Sequence, residues 1–542
     1  MSAVDEVDVI VVGAGLAGLA ATAFLAQQGI RVLAVDRHPG TSVHPKARLV
    51  NVRSMELYRT LGIEPEVRSA GEANSGFENA GTLAGEWGTW IAPPADEVEA
   101  AGLSPTVPYS CDQQRLEPIL LRRAEELGAE VRFRTTAALT DITAGQVTAV
   151  LRGDDGEERF VRARFLVAAD GARSGIRARL GIALRGEDIK GESVSVVFRA
   201  DLAPALRGRE VNAIMCRDAG AFLFARGNED DRSWQLGTYL RPGWAALEPG
   251  ELDDRLAEVI RAATGLPHLR PVMEDTARWT AGAYVAGRFR AGPVFLVGDA
   301  IHVMPPYGGF GGNTGVQDAH NLAWKIAAVC RGDAGETLLD TYEPERRPIA
   351  ELTVAQALLR SRKKPGQAPP PEQIDAVALA LGFRYGHDGG APVEDPARPS
   401  GRPGTRMPHV RLDDGRSTLD LLDPTRFSLV GRSTEPVVRD LAARLGELRE
   451  LVDAVPVAAV PVDPGVIDPA HRERWDAVWD PGALLVRPDG VIAARIRTRS
   501  EMREALLSCL GRRARGQAVG GSEKTANRAG SPNTTLRATR SP

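Results

Sequence analysis

Four cysteines, Cys111, Cys216, Cys330 and Cys509, are scattered through 542 residues, and no two stand in a Cys-x-x-Cys pair. That spacing excludes a dithiol redox centre and opposes a zinc site, leaving buried free thiols as the reading. The eight histidines form no ligand cluster, so no metal is expected. No apolar run approaches the roughly 20 residues of a membrane span, so no membrane partner is expected. A formal net charge of −4, with no basic cluster carrying interleaved aromatics before the last residues, argues against nucleic acid. Strand character begins almost at once, which leaves no room for a signal or transit peptide; a cytoplasmic location is the expectation.

What is present is a set of short motifs in a fixed order. Val9 to Val12 has the character of a buried parallel strand, and Leu16 to Gln27 that of a following helix. Between them lies Gly13-Ala14-Gly15-Leu16-Ala17-Gly18. Gly13 permits a tight turn, Gly15 lets a pyrophosphate approach a helix N-terminus, and Gly18 lets the helix pack closely on its sheet. Arg31 to Val35 reads as the second strand. Asp36 at its end, about twenty residues past the glycines, can accept hydrogen bonds from a ribose diol. A dinucleotide is predicted, and FAD and NAD both fit.

Two further signals favour FAD, because an NAD domain has no need of them. Phe165 to Ala169 is an apolar strand running into Asp170-Gly171-Ala172-Arg173-Ser174. Phe295 to Val297 delivers Gly298-Asp299-Ala300 at the carboxyl edge of the sheet, where ligands of open α/β folds sit. Next come Met304-Pro305-Pro306-Tyr307-Gly308-Gly309-Phe310-Gly311-Gly312-Asn313-Thr314-Gly315, an irregular segment able to lie against a flat ring. A helix starting near Asn313 or Thr314 would aim its positive end there, which favours the charge of a reduced flavin.

This ordered set resembles that of the single-component FAD-dependent aromatic hydroxylases, and the 304–314 form is most similar to actinobacterial hydroxylases of aromatic polyketides. The resemblance implies an α/β fold: a Rossmann-like FAD-binding domain, an antiparallel β-sheet substrate domain and a thioredoxin-like C-terminal domain. It assigns cofactor binding to Gly13, Gly15, Gly18, Asp36, Arg37, Arg48, Gln113, Asp170, Asp299, Gly311, Gly312 and Asn313, with Gln114 an alternative to Gln113. Arg48 is placed at the pyrophosphate. Gly312 and Asn313 would position the flavin, and the backbone at Pro305 and Pro306 would help hold a substrate phenol. Tyr342, Glu345 and Arg346 are read as packing and salt-bridge residues, and His302 and His320 as packed beside the cofactor.

The implied chemistry is the cofactor's own. NAD(P)H reduces FAD, dioxygen gives a C4a-hydroperoxide, and its distal oxygen passes to an aromatic polyketide of antibiotic biosynthesis. Arg37 and Arg48, as candidates for an adenosine phosphate, favour NADPH over NADH. No nucleophile triad is needed and none is evident. A Baeyer–Villiger monooxygenase and a flavin reductase or dehydrogenase without oxygen insertion stay open.

Along the chain, residues 1–70, 105–186 and 290–362 are assigned to the FAD domain, and 71–104 and 187–289 to the substrate domain. Strands are expected at Ser193 to Phe198, Val211 to Met215, Ala221 to Ala225 and Trp234 to Leu240. Met215, Phe222, Phe224, Trp234 and Tyr239 are candidates for substrate contact, with Trp87 and Trp90 joining them. A linker is read at 363–400, from a Pro-rich run. Residues 401–511 form the C-terminal domain, and 512–542 a disordered tail. Oligomeric state is not legible.

Overall fold

The computed structural model describes residues 5–43, 46–73, 76–88, 95–143, 145–226, 233–362, 368–386, 392–433, 436–443, 457–478 and 482–512. The expected tail at 512–542 therefore lies almost wholly outside the described residues, as does Trp90.

The central sheet has eight strands, and its main path runs 290–291, 294–296, 158–168, 5–12, 32–35 and 130–132. A hairpin of 135–143 and 146–153 adds to 158–168 on the other side. Asp5–Val12 is parallel to both 158–168 and 32–35, and 294–296 is parallel to 158–168. Parallel strands end at one edge. Gly13, Asp36, Asp170 and Gly298, far apart in sequence, consequently emerge side by side.

Close packing behind this edge depends on missing side chains. Gly13 has φ +101°, and a Cβ there would lie 2.3 Å from the Ala169 carbonyl oxygen; at Gly18 it would lie 1.8 Å from that of Gly13. The helix Leu16–Gln27 can thus lie directly on the sheet. The long helix begins at Phe310 and runs to Cys330, with Gly309 at φ +63° as its N-cap. This is earlier than the expected start at Asn313 or Thr314. The reason is a turn in which the Gly309 N–H donates to the Pro306 carbonyl at 3.1 Å, which sets Phe310 and both following glycines on the helix.

A seven-stranded sheet runs 302–303, 272–286, 184–199, 233–239, 221–226, 213–216 and 77–80. It is antiparallel except at its edge, where Ala213–Cys216 pairs parallel with Phe77–Ala80 from the early insertion. The expected strands are present with shifted ends, and the 15-residue strand Val272–Ala286 was not anticipated. Its thin pattern of apolar residues hid it. One face of the sheet buries Ile214, Leu223, Trp234 and Leu236 against Leu252, Leu256 and Ile260 of the helix Pro249–Thr264.

The C-terminal unit is thioredoxin-like: the parallel pair Phe427–Arg432 and Val457–Val462, then the antiparallel strands Ala483–Val486 and Ile492–Ile496, then the helix Arg499–Cys509. Phe427, Leu485, Met502 and Leu506 belong to the same core as the central sheet, and Phe427 meets Trp324 edge-on at 5.8 Å between ring centroids. Much of the expected 363–400 linker is packed instead: Ala376–Leu381 is a helix, and Leu379, Leu381, Phe383 and Tyr385 are buried. Their apolar side chains outweigh the Pro-rich stretch before them.

Arg59 reaches across this interface, donating to both Asp420 oxygens at 2.6 and 2.9 Å. It is 37% exposed, so Arg59→Ala should cost about 1 kcal/mol or less, measured as a small fall in the urea midpoint. Cys509 is a half-buried free thiol in a domain without a partner cysteine. Cys509→Ser should leave turnover and bound flavin unchanged, whereas a loss of either would mean that the thiol takes part.

Candidate active site

Above the common strand edge lies a cleft lined by Leu16, Ala47, Arg48, Leu49, Gln113, Gly312 and Asn313. The helices Leu16–Gln27 and Phe310–Cys330 both begin here. Neither carries a side-chain cap of its own or an acid in its first turn, so both positive ends favour an anion. At Gly312 a Cβ would lie 2.8 Å from Leu16 Cδ2, whereas at Gly15 it would meet nothing nearer than Glu117 Oε1 at 3.8 Å. Protein packing therefore does not demand glycine at 15. Open space over that backbone is what a pyrophosphate needs.

Asp299 lies on the turn Gly298–Ala300 and is exposed as a residue. Surrounding protein still desolvates its carboxylate and raises its pKa, against the pull of His302 and Lys46. No donor among the described residues bonds its carboxylate. Its capacity to accept hydrogen bonds is left for a ligand.

Other expected residues are placed differently. Asp36 accepts from the Ala14 N–H at 2.7 Å and the His38 N–H at 2.8 Å, while Arg37 beside it is exposed. Asp170 accepts from Ser174 Oγ and the Ile176 N–H, holding its own turn. Arg177 in that turn then donates to the Ala300 carbonyl at 2.9 Å, so the middle motif braces the Asp299 turn. Gln113, not Gln114, is the buried member of the pair; it accepts from the Ala47 N–H and donates to Glu117 at 2.6 Å.

Asn313 spends its amide on backbone at Leu49, Gly309 and Asn51. Its side chain fixes residues 49–51 against the helix. Gly311 sits 3.7 Å by its would-be Cβ from Met304. Pro305 is buried and Pro306 exposed. The Arg48 guanidinium pairs with Asp112 at 2.7 Å. The cation near Asp299 is Lys46.

Comparison with known proteins gives the decisive observation. Residues 6–357 match the family described as FAD binding domain, and 400–513 match the family described as aromatic-ring hydroxylase, C-terminal. The chain belongs to the FAD-binding aromatic-ring hydroxylases. It is 41% identical over 537 residues to a 4-methyl-5-nitrocatechol 5-monooxygenase of Burkholderia sp, covering 93% of this chain and 96% of that one. With tetracenomycin A2 monooxygenase-dioxygenase of Streptomyces glaucescens it shares 36% over 564 residues, covering 94% and 97%. The crystal structure of an aklavinone-11 hydroxylase with FAD and aklavinone superposes with a TM-score of 0.82 at 35% identity, covering 94% of this chain and all of that one.

This flavin monooxygenase also buries polar residues, of which Glu117 and Asp318 were not singled out in the sequence as site residues. Glu117 Oε2 accepts from the Ser42 N–H at 2.7 Å, and burial raises its pKa although the backbone N–H groups of Ser42 and Leu16 act against the rise. Asp318, fully buried, accepts from Arg346 Nε at 2.8 Å and contacts His302 Nε2 at 2.6 Å and the Gly298 N–H at 3.3 Å. His320 packs edge-on to Phe24, and burial, with the charge of Arg53, pushes its pKa down to about 3. It stays neutral. The Gln113–Glu117 spacing on one helix was a usable signal; Asp318 had none.

On the substrate sheet, strand alternation sorts the candidates. Met215, Phe222, Phe224 and Tyr239 are on the face away from the Pro249–Thr264 helix. Trp234 is on the other, 3% exposed in the core beneath that helix. Its even position, against odd Tyr239 on the same strand, forbids a shared face. Trp87 likewise packs against that core and under Arg209. Tyr307 of the flavin loop reaches the open face, meeting Phe222 at 5.6 Å between ring centroids and Tyr239 OH at 3.2 Å.

Proposed function

We propose that this enzyme consumes NAD(P)H, with NADPH preferred, and dioxygen to hydroxylate a polycyclic aromatic polyketide in antibiotic biosynthesis, in the cytoplasm. The observation that carries this reading is the aromatic face of Phe77, Phe222 and Phe224, joined by Tyr307 from the loop after Asp299. A slab of rings suits a flat, fused-ring substrate.

FAD, when bound, supplies two-electron reduction by a nicotinamide and oxygen activation. The protein supplies position and dryness. Gly13, Gly15, Gly18 and Asp36 would hold the adenosine diphosphate part, and Asp299 and Gln113 the ribityl chain. The main chain at Gly311, Gly312 and Asn313 would face the ring, with the helix end stabilising negative charge there. Asp170 would act through its turn, and Arg37 remains the candidate for an adenosine phosphate. The backbone at Pro305 and Pro306 and the faces of Met215, Phe222, Phe224 and Tyr239 would orient the substrate and exclude water.

Aerobic incubation with NADPH and a panel of aromatic polyketides tests this. Substrate-stimulated NADPH consumption and a product gaining one oxygen on a ring carbon are expected. A hydrolysable ester would instead reveal Baeyer–Villiger chemistry, and reduction without oxygen gain a reductase. A second reading, a smaller substituted catechol, is favoured by the Burkholderia relative. Including 4-methyl-5-nitrocatechol in the panel separates the two.

A further inference from the structure

A buried cluster at the far end of the aromatic face leaves guanidinium N–H groups without aligned acceptors among the described residues. Arg226 is two residues beyond Phe224 and four beyond Phe222, so all three point to the same side of the strand Ala221–Arg226. The Arg226 side chain is 3% exposed, and its Nη1 donates to Gln235 Oε1 at 2.7 Å. Its Nη2 lies 2.9 Å from Asp112 Oδ1, the same oxygen that accepts from Arg48 Nη1 at 2.7 Å. One carboxylate oxygen thus serves two guanidinium groups. Glu72, 3.7 Å from Arg48 Nη2, is too distant for a direct bond.

The shortfall is visible atom by atom. Arg48 Nε, Arg48 Nη2 and Arg226 Nη2 are buried without an aligned acceptor among the described residues. Burial, reinforced by the charge of Arg48, pushes the Arg226 pKa down to about 10 although Asp112 pulls it the other way. Arg226 stays charged at neutral pH. Holding desolvated guanidinium groups short of acceptors costs stability, and a ligand bringing oxygen acceptors would relieve that cost. Arg48 also lines the cofactor cleft with Gly312 and Asn313, so the cluster stands between the flavin site and the sheet. The row from Phe222, where Tyr307 touches it, to Arg226 spans about 13 Å at the usual rise per strand residue.

We propose that Arg48 and Arg226, held by Asp112, recognise an anionic oxygen substituent, a carboxylate or an ionised phenol, at the end of an elongated aromatic substrate. This rests on the aromatic-substrate reading above. A planar guanidinium fork matches such oxygens, and the aromatic row accommodates the rings between that group and the flavin loop.

Calorimetric titration of the FAD-loaded protein with anthraquinone-2-carboxylate and uncharged 2-methylanthraquinone provides the test. The carboxylate is expected to bind about tenfold or more tightly, and Arg226→Gln and Arg48→Gln should each erase that preference without weakening the methyl compound. Arg226→Lys should restore part of it. Retained flavin absorbance in each variant certifies the fold, and either variant suffices if the other does not fold. Alizarin, titrated on both sides of its own ionisation, separates the two anions: tighter binding of the ionised form supports phenolate recognition, and indifference with the carboxylate preference intact supports a carboxylate. Equal wild-type affinity for the two anthraquinones, or a preference surviving in both variants, overturns the proposal alone. Failure of both compounds to bind overturns it together with the aromatic-substrate reading.

Discussion

Asp299→Ala protein is expected to purify nearly colourless, with FAD affinity reduced roughly 10- to 100-fold, the loss of one charge-assisted hydrogen bond. Flavin absorbance per protein and titration of the apoprotein with FAD measure it. The turn is fixed from outside, by the positive φ of Gly298, the Arg177 bond to Ala300 and the Gly298 N–H contact with Asp318. Removing the carboxylate therefore should not collapse the cleft. Because burial raises the Asp299 pKa, its charge is a burden on the free protein. The flavin-free variant should melt no lower than the flavin-free parent. Full flavin retention would remove Asp299 from the cofactor site.

Asp318→Asn is expected to be the most destabilising conservative change, costing about 3–5 kcal/mol because it strands a buried guanidinium. Arg346 and Asp318 are both fully buried. Arg346 would keep the Tyr385 hydroxyl at 3.1 Å, the Thr314 carbonyl at 3.3 Å and at most a neutral amide oxygen at 318, with its counter-charge gone. The pair joins the Asp299 turn, the long helix Phe310–Cys330, the helix Tyr342–Arg362 and the segment before the C-terminal unit, so flavin content should fall with stability. Burial would raise the Asp318 pKa, but Arg346 and His302 hold it below its ordinary value of 3.8. A carboxylate depressed on folding stabilises above its unfolded pKa and loses that contribution as the pH falls through the folded one. The parent should lose this contribution on acidification below about pH 4, while the variant, lacking it throughout, should show a shallower acid dependence. Chemical denaturation across that range reads both effects, and an unchanged midpoint would overturn the assignment.

Local chemistry explains which residues could be read in advance. Gly13, Gly15 and Gly18 are legible because a tight turn, a ligand approach and a helix contact each demand a missing side chain at fixed spacing. Asp299 is legible because an apolar strand must end before an acid can stand at its tip. The pairing of Arg48 was not legible, because a basic residue in a loop carries no sign of where its guanidinium turns; Asp112, 64 positions away, decides that. Trp234 misled because aromatic character was weighed without strand parity, which the sequence does contain. The packed helix Ala376–Leu381 was hidden behind the prolines preceding it.

Motif order, together with the family resemblance it carries, pointed to FAD and to a β-sheet domain and a C-terminal unit, and cysteine spacing excluded dithiol chemistry in the latter. The motifs, the strand periodicity and the cysteine spacing are local, and so could be read without a fold. Tertiary structure decided that Lys46 faces Asp299, that Asp170 braces a turn, that Asp318 ties four segments together and that Arg48 and Arg226 share Asp112. Each of these depends on a partner tens to hundreds of residues away or on the path of a turn, and a charge acquires its role only when folding fixes what stands opposite it.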